Sequence, residues 1–219
     1  MITIENQQKL FLSISKRLKK PITAYAVGGT AMMFMGFKDT TLDIDLVFET
    51  ENDKNIFKDA IKQIGYQEID SIKIYNIKRN QPEMLTLGDE RFDLFVIKVI
   101  DFILSESIQQ RAKQTTHQFN SKFTLKIVDP HDIILMKCAT DRPKDIDDAN
   151  KIINKITVNW DLLVEETKQQ IKLGKDKAAF ELGYFLEKLK SQMHVKIPSK
   201  VLDTLFNIVK KQIKDISKT

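Results

Sequence analysis

The sequence predicts an α+β fold whose C-terminal region is entirely helical, and three observations lead there. Segments that alternate apolar and polar residues with period two are interleaved with helical spacing up to about residue 128. From Asp129 onward nearly every apolar residue recurs at helical spacing. The change falls on Asp129-Pro130, a capping residue followed by proline at a first helical position. The expected division is therefore an α+β core over 1–128 and a helical domain over 129–219, packed together with a cleft between them.

Each element has its own local signal. Leu10, Phe11, Ile14 and Leu18 make one stripe of an opening helix that Pro21 closes. Ile22 to Val27 reads as a strand ended by Gly28-Gly29, and 30–35 as a short apolar helix stopped by Gly36. Leu42 to Phe48 alternates sharply and predicts a strand. Ile56, Phe57, Ala60, Ile61 and Ile64 give a helix over 53–64 with a Gly65 stop. Strands are expected at 67–78, 91–97 and 122–128, with a helix near 105–115. Helices follow at 131–140, 144–155, 160–172, 176–191 and 199–216. Trp160 and the stripe Phe180, Leu182, Tyr184, Phe185 and Leu189 have the spacing of packing residues.

Composition narrows the class. A chain of 219 residues with 42% hydrophobic and 30% charged residues is ordinary for a globular protein that needs no disulfide to fold. The lone Cys138 has no partner for an internal disulfide, and Met1–Asn6 lacks the basic and apolar regions of a signal peptide. No apolar run approaches 18 residues, since Phe92 to Leu104 is broken by Asp93, Lys98 and Asp101. The expected location is the cytoplasm, with no membrane span. Net charge is +5, and residues 151–219 hold 14 lysines and no arginine against 8 acids. Such a balance suits either a phosphate backbone or lysine-rich solvated helix faces. His117, His131 and His194 are scattered, so a zinc site is not expected.

The chemistry concentrates in two stretches. Val27-Gly28-Gly29-Thr30 is followed, after a spacer, by Asp43-Ile44-Asp45-Leu46. Residues two apart on a strand share a face, so Asp43 and Asp45 project together while Ile44 and Leu46 face the other way. Paired carboxylates repel unless a cation offsets them, and hard oxygen ligands suit Mg²⁺, with Mn²⁺ as the alternative. Asp93 is a lone charge in the apolar run Phe92–Val96, costly to bury unless paired or coordinating. If its strand lies beside 42–48, it joins the other two acids. Three carboxylates around two metal ions would support in-line displacement at phosphorus, with Asp93 placed to take the attacking hydroxyl's proton. Gly28 and Gly29, lacking Cβ atoms, admit phosphate close to the backbone, and Thr30 offers a hydroxyl. Taken singly, the glycines also fit a tight turn and the acid pair an exposed strand edge.

The combination resembles the signature of the DNA polymerase β-like nucleotidyltransferase superfamily: a hydrophobic-Gly-Gly/Ser turn, a spacer, then Asp-hydrophobic-Asp/Glu-hydrophobic. Residues 129–148 further resemble a block of small prokaryotic nucleotidyltransferases, including the AbiEii-like toxins, at Lys137, Arg142, Lys144, Asp145 and Asp148. The resemblance implies a polymerase-β-like core and NMP transfer from an NTP to a hydroxyl acceptor, open among tRNA or another RNA, a protein hydroxyl and a small molecule; the alternative reading is a non-catalytic nucleotide-binding module. The site it implies comprises Asp43, Asp45 and Asp93 as catalytic and metal-binding residues. Gly28, Gly29, Thr30, Lys137, Arg142 and Asp145 would bind nucleotide. Toxin kinship would also imply an antitoxin partner. On the residues alone, Lys137 also reads as a snorkelling surface lysine, and Asp145 and Asp148 as first-turn acids favoured by a helix dipole. One departure stands out: many relatives carry Arg four residues before the first Asp, where this chain has Asp39 with Lys38 beside it.

Overall fold

A computed structural model of the chain describes residues 1–69, 81–140 and 142–217. It forms two compact units, Met1–Asp129 and Pro130–Thr219. The first is mixed α+β and the second helical, which is the fold class the sequence predicts. No helix among the described residues is long and apolar enough to cross a membrane.

The first unit opens with β1 (Ile2–Thr3) and α1 (Ile4–Ser15), where the Thr3 hydroxyl accepts the Asn6 N–H at 3.3 Å and caps the helix. There follow β2 (Ile22–Ala26), α2 (Gly28–Phe34), β3 (Thr40–Thr41) and β4 (Asp43–Phe48). Next come α3 (Glu51–Lys62), β5 (Gln67–Ile69), β6 (Glu83–Leu87) and β7 (Glu90–Val96). The short β8 (Lys98–Val99) and β9 (Phe102–Ile103) form a separate hairpin. The unit closes with α4 (Glu106–Ala112), β10 (Thr116–Phe119) and β11 (Phe123–Ile127).

Seven strands make one sheet in the order β10-β11-β2-β4-β7-β6-β5. The pair that matters most is β4 with β7, parallel and adjacent near its middle. One face is closed by α1 and α3 over a cluster of aromatic rings. Phe57 of α3 lies 5.3 Å from Phe48, 5.7 Å from Phe92 and 5.3 Å from Phe123, centroid to centroid, and Phe11 of α1 lies 5.4 Å from Phe123. Since side chains alternate along a strand, seating Phe48 and Phe92 on that face sends Asp45 and Asp93 to the other.

Several boundaries differ from the sequence reading, each for a local reason. α2 begins at Gly28 itself rather than after the glycine pair, because Ala31 N–H already reaches the Val27 carbonyl at 3.1 Å. The strand expected over 67–78 is present at 67–69, and its remainder from 70 lies outside the described residues. β6 was not anticipated. It is paired to β7 through the two-residue turn Gly88-Asp89, with Gly88 at φ 59°. β10 was also missed, since Thr116-His117-Gln118 carries no apolar residue to signal a strand.

The second unit contains α5 (Pro130–Lys137), α6 (Pro143–Ile153), α7 (Trp160–Lys172), α8 (Ala178–Met193) and α9 (Ser199–Ile216). Their spans follow the predicted helices closely. Leu182, Phe185, Leu186 and Leu189 are buried, whereas Phe180, Tyr184 and Phe206 remain exposed.

Candidate active site

Asp43 and Asp45 stand on the same side of β4, and Asp93 stands directly beside Asp45 on β7, the two being register partners in the parallel pair. Strand order thus does what sequence spacing cannot, bringing together acids almost 50 positions apart. One carboxylate oxygen from each of the three lies within 4.8 Å of the others. Asp43 and Asp45 are half-buried, while Asp93 is 0% exposed.

Burial of Asp93 demands a partner, and Arg91 supplies it. As the register partner of Asp43 and the residue two before Asp93, Arg91 shares their face of the sheet. Its Nε lies 2.8 Å from Asp93 Oδ1, and one terminal nitrogen donates to Asp43 Oδ2 and, at 3.1 Å, to Asp93 Oδ2. Three carboxylates against one guanidinium leave two formal negative charges among these four side chains. That surplus, with donors that are all hard oxygens, fits a divalent cation of the Mg²⁺ or Mn²⁺ kind. Among the described residues this is the one cluster of three or more acidic, histidine or cysteine ligands close enough to hold a metal. Sequence reasoning gave Arg91 no role, although its i−2 position relative to Asp93 on a strand was the available signal.

The glycine turn is built against the same carboxylates. Gly28 has φ 54°, and a Cβ placed there would lie 2.6 Å from Asp45 Oδ2. A Cβ at Gly29 would lie 2.6 Å from the Thr41 hydroxyl, which itself donates to Asp43 Oδ1 at 3.2 Å. Thr30 is fully buried, and its hydroxyl accepts the Asp45 N–H at 2.9 Å. The Val27 N–H donates to the Asp45 carbonyl at 3.2 Å. The hydroxyl that the sequence offers to phosphate is thus engaged in fixing β4 to the start of α2.

Lys137, Arg142, Asp145 and Asp148 belong to the helical unit, where they form a cluster of their own. Lys137 Nζ donates to Asp145 Oδ1 and Asp148 Oδ2, both at 2.8 Å, with only 8% of its side chain exposed. Arg142 Nε reaches Asp145 Oδ2 at 2.8 Å from a half-exposed side chain, and the Thr140 hydroxyl donates to the same oxygen. Burial pushes the Asp145 carboxyl up, but the Lys137 charge and the hydrogen bonds from Lys137, Thr140 and Arg142 outweigh it and hold the group below its ordinary range. The cluster joins α5 to α6 electrostatically. Cys138 beside it is buried with its thiol pushed up, an inert packing residue.

A family model described as a nucleotidyl transferase of unknown function (DUF2204) matches residues 6–199. Among solved structures, the chain is similar to ANT(2″)-Ia in complex with adenylyl-2″-tobramycin, at 14% identity and a TM-score of 0.44, covering 83% of this chain and 98% of that one. A solution structure of the antibiotic-resistance factor ANT(2″)-Ia is similar at 14% identity and a TM-score of 0.45, covering 87% and 96%. The Helicobacter pylori protein JHP933 is similar at 18% identity and a TM-score of 0.40, covering 100% and 97%. No curated protein matches the chain.

Proposed function

The chain belongs to that nucleotidyl transferase family, and from this premise we propose that it moves an NMP from an NTP to a hydroxyl acceptor with release of pyrophosphate. The observation that carries the reading is the set of three carboxylates on adjacent parallel strands, with a glycine pair set against one of them. Asp43, Asp45 and Asp93 would hold Mg²⁺ or Mn²⁺, which when bound supplies charge neutralisation for the nucleophile and the leaving group. The acceptor oxygen forms a bond to the α-phosphorus as the bond to the bridging oxygen breaks, and the electron pair leaves with pyrophosphate. Asp93 takes the hydroxyl's proton. Gly28 and Gly29 let the nucleotide approach the backbone beside Asp45, and Thr30 and Thr41 hold the Asp45 backbone and the Asp43 carboxylate in place.

In this reading Arg91 is the counter-ion that keeps the acids together before metal arrives. Lys137 and Asp145 orient the start of α6, with the half-exposed Arg142 as the member of that cluster able to meet a phosphate. An RNA hydroxyl is the acceptor favoured here, on the lysine-rich balance of residues 151–219 and the toxin-like block around Lys137. An antitoxin would then be the natural regulator.

The test is incubation with each α-³²P-labelled NTP, Mg²⁺ or Mn²⁺, and total cellular RNA. Label on RNA identifies the nucleotide and the acceptor class together. Label on protein, or on a small molecule supplied in place of RNA, redirects the acceptor while keeping the transferase. Asp45→Asn should abolish transfer with the fold intact, and undiminished transfer by that variant overturns the assignment.

A further inference from the structure

We propose that the groove between α8 and α9 is a self-association surface that takes α9 of a second copy of this chain, running antiparallel, so that the protein is a twofold dimer in solution. Helix faces whose spacing marks them for packing are left in water here. Phe180, Tyr184, Phe206 and Ile213 are between 53% and 65% exposed, and they include every exposed aromatic ring among the described residues. With ordinary ring areas, roughly 100 Å² of each of the three rings is uncovered, a patch of the size that marks an interaction surface.

The rings line a groove rather than a flat face. Phe180 and Tyr184 stack at 6.3 Å with planes 3° apart and wall it on α8. Leu202, Phe206 and Val209 wall it on α9, around a volume of about 350 Å³. Gly183 lies between the walls, where a Cβ would stand 3.8 Å from the Leu205 Cβ. The two helices therefore approach closely at that point, and Gly183 puts no side chain into the space above it.

The pattern on α9 is self-complementary. Leu202, Phe206, Val209 and Ile213 are spaced by four, three and four residues, the same from either end. A second α9 laid antiparallel presents an identical row, and each copy sets its Phe206 over the Gly183 floor of the other. The charges beside the row agree with that direction. Asp203 precedes Phe206 by one turn, Lys210 follows it by one turn and Lys214 by two, all three exposed. Helical spacing puts them on one border of the row. Antiparallel pairing brings Asp203 of each copy between Lys210 and Lys214 of the other, twice by symmetry, whereas a parallel pair sets lysine against lysine. An acidic helix from another protein would meet Asp203 and Glu187 on the same rim, and RNA would lay its phosphates beside those carboxylates.

The experiment is sedimentation equilibrium of the full chain from about 1 μM to about 100 μM, a range in which an interface of ordinary size assembles. Wild type should reach twice the chain mass within it. Phe206→Glu, at an exposed position, should weaken association by at least about 30-fold, the scale of a central aromatic anchor, with an unchanged circular-dichroism spectrum. Asp203→Lys alone, and Lys210→Asp/Lys214→Asp alone, should each weaken it by about 10-fold, and the three changes together should restore it. A wild-type chain that stays monomeric throughout overturns the proposal, and so does a dimer that Phe206→Glu leaves intact. Failure of the triple variant to recover overturns the antiparallel pairing. A monomer that binds a single-stranded RNA oligonucleotide or an acidic helical peptide, and loses it in Phe206→Glu, overturns the proposal by assigning the groove to that ligand. None of these readouts depends on nucleotide chemistry.

Discussion

A methyl group added at Gly28 would meet Asp45 Oδ2 at 2.6 Å on a backbone held at φ 54°. Both consequences point the same way, because the residue is strained by about 1–2 kcal/mol and the carboxylate is pushed aside. Gly28→Ala should therefore retain the fold and lose transfer by about 10²-fold, the scale expected when a reacting group moves by about an ångström. Steady-state transfer beside a circular-dichroism melt checks both halves. Arg91 makes a complementary prediction. In Arg91→Gln, Asp93 is left buried without its guanidinium, and without metal the chain should lose about 1–3 kcal/mol. Adding Mn²⁺ should restore more stability to this variant than to wild type, since the ion replaces the missing charge. Equal metal-induced shifts in the two proteins would show that Arg91 and metal do not share the carboxylates. Position along a strand made the pairing of Asp43 with Asp45 legible in the sequence, whereas Arg91 needed its strand neighbour before its role was visible.

Helices are more legible than strands in this sequence, and packing explains the difference. Four of the five helices of the second unit announce themselves through an apolar stripe of their own, a signal contained within a few turns, while α5 is marked by its Asp129-Pro130 start. β10, an edge strand paired to β11, and β6 do not, since a strand draws its stability from the neighbours it pairs with and needs little alternation of its own. The stripe on α8 divides: Leu182, Phe185 and Leu189 are buried, while Phe180 and Tyr184 stack with rings 3° from parallel on the exposed side. Spacing identifies a helix face but not how wide the buried part of it is. The link between α5 and α6 is testable. Lys137→Met removes the ammonium that two buried carboxylates share, and a loss of about 3–5 kcal/mol is expected in denaturant melts. Asp145 adds a pH dependence. Its folded pKa lies below its ordinary value of about 3.9, so on acidification the unfolded chain takes up that proton first. The stabilisation is complete above about pH 4 and is lost as pH falls through the folded pKa. In Asp145→Asn that segment of the acid-unfolding curve should flatten.

For the whole molecule, ligand linkage offers a test that does not depend on knowing the acceptor. A metal–nucleotide complex that binds only the folded chain should raise its stability by about 2.7 kcal/mol at a hundred times its dissociation constant. Thermal melts with each Mg·NTP should show such a shift for at least one base, and Asp43→Ala/Asp45→Ala should abolish it. A shift that survives loss of both acids would place nucleotide binding elsewhere in the chain. What the sequence determined by itself was everything encoded within a short window. That includes the class of fold, the change to helices after Asp129, the acids sharing a face of one strand, and the glycine pair a fixed distance before them. Tertiary structure alone decided that β7 lies beside β4 in parallel register, that Arg91 sits among the acids, that Thr30 turns inward, and that Lys137 meets Asp145 and Asp148. The physical reason is that alternation and helical period are properties of neighbouring residues, whereas strand order and charge pairing are settled by competition among segments far apart in the chain, through burial that no single segment contains.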